Sequence, residues 1–266
     1  MDPHRKRDSV LPEGWLEGLF DKADLDASYT GLKKCSHFHA ETMRGFIRHL
    51  QLRFRDADLL FANGLKKAIK APRTIPNLVR QLVLNAYWFQ NRLLQGPIQG
   101  LDSPREFRFP DFPQFIREEY PEVEFVERLR TSAEALLRLH LGEFEAAVKI
   151  YETLVEKYRD EPDDRLAQQY LGLAAAFHNL GQTQEAARYL ENAGFCIQVG
   201  GRLLNRGRVA ANLLAAYSCL QDTESARDWR VFVENLDCPQ ATKDVLFKRS
   251  TLIVQRWTRE SRLLMA

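Results

Sequence analysis

The sequence predicts an all-α protein built of antiparallel helix hairpins with an N-terminal helical unit. Three observations carry this. No segment alternates apolar and polar residues at the two-residue period of a strand. Apolar residues recur instead at helical spacing in segments parted by Gly and Pro. And Tyr170, Leu173, Ala174, Phe177, Gly181, Ala186, Leu190 and Ala193 set aromatic, large and small residues at the spacing of a helix–turn–helix unit. Tyr170 and Phe177 are two turns apart and share a face with Ala174 between them, where a small side chain lets a second helix approach. Gly181 is placed to end the first helix in the left-handed conformation.

In chain order, residues 1–12 read as a flexible arm. Residues 13–22 form a short amphipathic helix with Trp15, Leu16, Leu19 and Phe20 on one side. Residues 24–30 are polar and turn-like. A helix is expected from Ser36 to about Leu52, burying Phe38, Phe46, Ile47 and Leu50, and another over 57–70, ending before Pro72. Pro76 suits the first turn of a third, over 77–94, with Leu78, Leu82, Tyr87 and Trp88 as its apolar positions. Residues 96–121 carry seven prolines or glycines interleaved with Phe107, Phe109, Phe112 and Phe115, too aromatic for a disordered linker. They read as an ordered connector between a unit of residues 1–95 and a repeat domain of residues 122–266 that closes on a capping helix.

The stretch 170–193 resembles the tetratricopeptide repeat (TPR), matching all eight positions of its pattern. Degenerate copies flank it. Upstream, Ala135, Gly142, Ala147, Tyr151 and Leu154 fit, while Glu134 and Arg138 replace the expected Leu and aromatic. Downstream, Leu213, Tyr217, Ala226 and Val233 fit, while Gln221 replaces the turn glycine. The resemblance is clear over 167–198 and degenerate over 122–236. The period is 39 residues from Ala147 to Ala186 and 40 from Ala186 to Ala226, against a family norm of about 34. Longer helices or inserted loops must supply the difference, with the loop at 159–164 and Gly200-Gly201 as the places for it. A fainter echo near Thr42 puts Gly45, Ala57 and Phe61 in register, not enough to define a repeat.

The resemblance implies a TPR-like superhelix whose first helices line a concave groove. Carried over by position, the groove residues are Ser132, Leu136 and His140, then Gln168, Leu171, Ala175, His178 and Asn179, then Arg208, Ala211, Asn212 and Ala215. This mixture suits a peptide or helix segment of a protein partner. Ser132 and Leu136 stand where chaperone-binding members of the family need Lys and Asn to clamp a terminal carboxylate. Two occupants stay open: a partner segment, or the chain's own C-terminal helix.

Composition narrows the rest. Hydrophobic content of 45% over 266 residues supports a sizeable core. A net charge of +2 gives no global field for nucleic acid. Segment 239–266 is basic, through Lys243, Lys248, Arg249, Arg256, Arg259 and Arg262, and reads as a solvated helix face or as a nucleic-acid-facing surface with Arg202, Arg206, Arg208, Arg227 and Arg230. Trp229 and Trp257 read as core or capping residues. Cys35, Cys196, Cys219 and Cys238 have no close pairing and read as free thiols of a reducing compartment. The N-terminus leads into no apolar signal region, and no apolar run approaches ~20 residues. Cytoplasmic placement is the expectation.

Catalytic motifs are absent: no Walker loop, H-E-x-x-H, G-x-S-x-G or dinucleotide fingerprint. The expectation is therefore a non-enzymatic adaptor or scaffold subunit without cofactor or metal. Its alternative is a nucleic-acid-associated helical-repeat regulator. Cys35-Ser-His37-Phe-His39, the one cluster of metal-ligand types, reads as a helix start, because only Cys35 and His39 share a helix face. The acidic run 160–164 reads as a loop in which Asp163 or Asp164 caps the next helix.

Overall fold

A computed structural model describes residue 11 and residues 15–93 and 122–260; the predicted N-terminal arm (apart from residue 11) and the connector at 96–121 lie outside the described residues. All regular structure among the described residues is helical. The helices are α1 (Trp15–Phe20), α2 (Leu25–Gly31), α3 (Phe38–Leu50), α4 (Phe54–Ala68), α5 (Ile75–Leu93), α6 (Glu122–Leu141), α7 (Phe144–Tyr158), α8 (Asp164–Asn179), α9 (Thr183–Val199), α10 (Leu203–Cys219), α11 (Thr223–Glu234) and α12 (Gln240–Glu260), with a 3₁₀ turn at Leu32–Lys34. They group into two compact units. One comprises described residues up to Leu19 and from Asp24 to Leu129; the other comprises Phe20–Ala23 and the chain from Arg130. The partition therefore falls inside α6.

In the first unit, α3 and α4 pack as a hairpin and α5 lies against both. Residues 24–30, expected as a turn, form helix α2 instead. Asp24 makes the difference: its carboxylate accepts the Ala27 N–H at 2.9 Å and caps a helix that buries Leu25 and Ser28. Trp15 Nε1 donates to the Ser28 carbonyl at 2.7 Å, fixing α1 beside it. Phe38, Phe46, Ile47 and Leu50 of α3 are buried as expected. In α5 the buried face differs from the expected one. Val79, Val83, Leu84, Ala86 and Phe89 are buried, whereas Leu78 is 41% exposed and Leu82, Tyr87 and Trp88 are half-buried. The apolar arc of the helix is broad, and its neighbours select which of its residues are enclosed. Val79 and Val83 meet Val123 and Val126, and Leu84 meets Phe38 and Ala68. A buried polar pair joins α3 to α5, with His49 Nδ1 3.1 Å from Asn91 Oδ1.

The second unit repeats one turn. Gly142, Gly181 and Gln221 lie between α6 and α7, α8 and α9, and α10 and α11, with φ of 78°, 77° and 62°. Each N–H donates to the carbonyl three residues back, and the next residue's N–H donates five back, as in Gly181 to His178 and Gln182 to Phe177, both 2.9 Å. This closes the spare carbonyls of the first helix. The same two bonds recur in the first unit at Leu52, φ 60°, between α3 and α4. Registers agree as well. Gly45, Leu52, Ala57, Phe61 and Gly64 have the spacing of Ala174, Gly181, Ala186, Leu190 and Ala193, and apart from the two turn residues all are buried. The faint echo at Thr42 is thus a hairpin of the same register.

The excess over a short repeat is mostly helical. α9 and α10 each run 17 residues, joined by Gly200-Gly201-Arg202, while α7 and α8 are joined by the loop 159–163. Asp163 caps α8 by accepting the N–H groups of Arg165 and Leu166, at 3.0 and 2.8 Å. Asp164 is buried and accepts the Arg202 N–H at 3.2 Å, tying the joint before α10 to the start of α8. Burial is the main cause raising its carboxyl above the ordinary value. At Gly201, φ 98°, a Cβ would lie 2.9 Å from the Asp164 side chain.

Candidate binding groove

Close contact between helices sets the geometry of the second unit. α8 packs against α7, α9 and α10, and α10 against α8, α9, α11 and α12. Small residues make this possible. Ala167, Ala174, Ala175 and Ala176 of α8 and Ala210, Ala211, Ala215 and Ala216 of α10 are all buried. The Tyr151 ring lies directly on Gly172, and Trp229 lies on Gly194. Tyr189 of α9 stacks on both Tyr170 and Phe177 of α8, with centroids 5.9 and 5.4 Å away. Leu173, Ala174, Ala186 and Leu190 are fully buried, and Phe177 half-buried against Tyr189.

The sequence-derived groove residues divide under this packing. His140 on α6, Gln168, His178 and Asn179 on α8 and Arg208 on α10 are half-exposed. Leu136 and Leu171 are buried, the latter 1% exposed, so neither presents a surface to a partner. Ala175, Ala211 and Ala215 are likewise enclosed. For the positions on α8 and α10 the reason is the alanine-rich contact between these two helices. Ser132 donates to the Oε1 of Gln169, 3.1 Å away, so the buried polar position beside Gln168 is internally satisfied. Asn179 Nδ2 donates to the Ala175 carbonyl at 2.7 Å. Burial lowers the pKa of His178.

Asn212 is 4% exposed, and α12 accounts for its position. Arg249 Nε donates to its Oδ1 at 2.9 Å, and a Cβ on Gly207, one turn earlier, would meet Leu246 of α12 at 2.8 Å. The C-terminal helix therefore covers α10, while α8 carries no comparable cover from α12. The basic segment is not uniformly a solvated face: Lys248 is exposed, but Arg249 is buried. Arg202 and Arg206 are engaged as well, Arg202 beside Asp21 at 3.6 Å and over the Phe20 ring, Arg206 donating to the Ile197 carbonyl at 2.7 Å. Thr242 donates to the Ala23 carbonyl at 2.6 Å, fastening α12 to segment 20–23. Trp229 is half-buried on Gly194; the side chain of Trp257, Arg259 and Arg262 lie outside the described side chains.

Sequence reasoning missed one surface feature. Leu203, Arg206, Val231, Phe232, Asn235 and Leu236 line an open depression of about 610 Å³ between α10 and α11. Its only sequence signal was Val231, an apolar residue left exposed on an otherwise polar helix face. The histidine cluster is a helix start: His37 Nδ1 accepts the His39 N–H at 3.1 Å and caps α3. Burial, with Arg80 and His37 nearby, pulls His39 down to about 3. Among the described residues no group of three or more His, Cys, Asp or Glu could hold a metal ion, and no helix is long and apolar enough to cross a membrane. The four cysteines are free, with Cys196 buried.

No protein-family model, no curated protein and no solved structure matches this chain.

Proposed function

We propose that the chain is a non-enzymatic, TPR-like adaptor or scaffold subunit that docks a segment of a protein partner against the first helices of its second unit. The observation that carries this reading is that His140, Gln168, His178, Asn179 and Arg208, polar positions of α6, α8 and α10, stay partly exposed while the alanines of α8 and α10 are enclosed. Partly exposed polar groups on helices of one unit suit hydrogen bonding to an extended peptide or to the polar flank of a helix. Leu136, Leu171 and Asn212 then act beneath the docking surface by positioning its helices. The alternative, nucleic-acid binding through the basic C-terminal segment, loses Arg249 to the interior and Arg202 and Arg206 to local contacts.

The test is affinity capture from the native host with wild type and with the double variant Gln168→Ala, His178→Ala. Both side chains are half-exposed, so the helical circular dichroism and melting curve should hold. Truncating a central anchor typically costs ~2 kcal/mol or more, so recovery of a specific partner should collapse. Undiminished recovery by the folded variant would remove the row from the docking surface. Capture lost steeply with added salt, and restored as nucleic acid, would favour the alternative.

A further inference from the structure

Ala226 and Val233 are the buried residues of α11, and Asp228, Val231, Phe232 and Asn235 recur on another side of it at i, i+3, i+4 and i+7. That second side, with Leu203 and Arg206 from the first turn of α10, lines the open depression of about 610 Å³. Its floor is apolar: Leu236 is buried, and Leu203 and Phe232 are half-buried. Val231 at the rim is 46% exposed. Asp228 and Asp237 border the depression as well, both exposed, the first on the second turn of α11 and the second three residues past its end. Among the described residues neither carboxylate has a hydrogen bond or an ion pair. The basic groups around them are engaged elsewhere. Arg206 Nε donates to the Ile197 carbonyl at 2.7 Å, and its guanidinium lies over the Phe232 ring at 5.7 Å. Arg230 and Lys243 both donate to Glu234, at 3.1 and 2.8 Å.

Exposed apolar surface rimmed by polar groups is the make-up of a docking site. An open depression leaves a small ligand largely in water, whereas a protein segment closes the mouth as it docks. Charge then selects the segment. Two unpaired carboxylates repel phosphates, which disfavours a nucleic-acid backbone, and they attract Lys or Arg. We propose that the depression receives a protein segment in which one or two apolar side chains, seated on Leu203, Phe232 and Leu236, are flanked by Lys or Arg that meet Asp228 and Asp237. From Asp228 to Asn235 the helix rises about 10 Å, so three or four extended residues span it. Asn235 offers an amide to the backbone of the segment. The proposal stands apart from the half-exposed row of α6, α8 and α10: Arg206 and Arg208, two residues apart on α10, face different sides of the helix.

The test uses the full chain with isotope-labelled methyl groups and the peptide acetyl-Lys-Leu-Phe-Lys-amide as probe. The comparison arm is acetyl-Glu-Leu-Phe-Glu-amide. On titration the methyl signals of Leu203, Val231 and Leu236 should move together, with half-saturation at about 1 mM for so short an anchor. The acidic peptide should bind about fivefold more weakly or worse. Asp228→Asn combined with Asp237→Asn should weaken the basic peptide about fivefold and abolish most of the difference between the two peptides. Val231→Ser should weaken both peptides about threefold. All three positions are exposed, so the helical circular dichroism and melting curve should hold. Failure of the basic peptide to half-saturate below about 5 mM overturns the proposal. So does equal binding of the acidic peptide, or undiminished binding of the basic one by either folded variant. A Val231 signal that shifts with protein concentration alone, with sedimentation as a dimer, would assign the depression to a second copy of the chain and overturn it too.

Discussion

Gly172→Ala tests the packing on which the second unit depends. The Tyr151 ring lies flat on Gly172: a Cβ there would sit 2.3 Å from Cζ and 2.6 Å from both Cε atoms. Ordinary contact begins near 3.4 Å, so the ring would have to retreat by about 1 Å. Tyr151 is buried, so a retreat of the ring displaces neighbouring core side chains. Overpacking of this kind costs about 1–3 kcal/mol, and an enclosed ring puts it near ~3. Alanine returns about 1 kcal/mol of helix propensity. The net loss is ~2 kcal/mol, or about 4–8 °C in melting temperature for a domain of this size. Urea and thermal unfolding followed by circular dichroism would measure it. Gly18→Ala is the control, since its Cβ would meet nothing closer than Ser28 Oγ at 3.9 Å, and it should gain up to about 1 kcal/mol. Adding Tyr151→Leu to Gly172→Ala should make the two changes non-additive, because both act on one contact. A Gly172→Ala protein as stable as wild type would mean that helix propensity dominates and that α7 does not press on α8 at this point.

Ala174→Leu, at a fully buried small position, should lower stability by about 1–3 kcal/mol while leaving the helical signal intact, as read in urea melts. Gln221→Gly should raise it by about 1 kcal/mol, because Gln221 holds φ 62° where only glycine is unstrained; an unchanged melting temperature would argue against strain in that turn. Asp164→Asn keeps an acceptor for the Arg202 N–H but removes a carboxyl whose folded pKa burial raises. The folded state therefore holds that proton more tightly than the unfolded chain. Its favourable contribution is full below the ordinary value of 3.8 and is lost as pH rises through the raised one. At pH 7 the Asn variant should melt higher than wild type, and the difference should vanish in acid; a variant that melts lower at pH 7 would make the charged form structurally favourable.

What the sequence disclosed and what it hid follow from the range of the forces involved. Ala174, Gly181 and Ala186 were legible because local requirements set them: a close helix approach needs a small side chain, and a left-handed turn favours glycine. Leu52 and Gln221 make the same turn without glycine, so the α3–α4 hairpin showed only as an echo, although the two backbone bonds that close it match those at Gly181. The buried face of α5 was illegible for another reason. Leu78 and Val79 are equally apolar neighbours, and only Val123 and Val126, more than 40 residues on, decide between them. Asp24 could have signalled α2, but its capping role outweighed a polar composition that reads as turn. Groove exposure had the longest range of all. Whether Leu171 or Gln168 faces outward depends on how α8 meets α10, and whether Asn212 does depends on α12, whose Arg249 arrives from 37 residues away. A basic segment read by composition is a solvated face, because charge counts carry no information on where a helix turns its side chains. One arginine of that segment, Arg249, is buried and donates to Asn212, so the charge count of the segment does not describe the surface it presents.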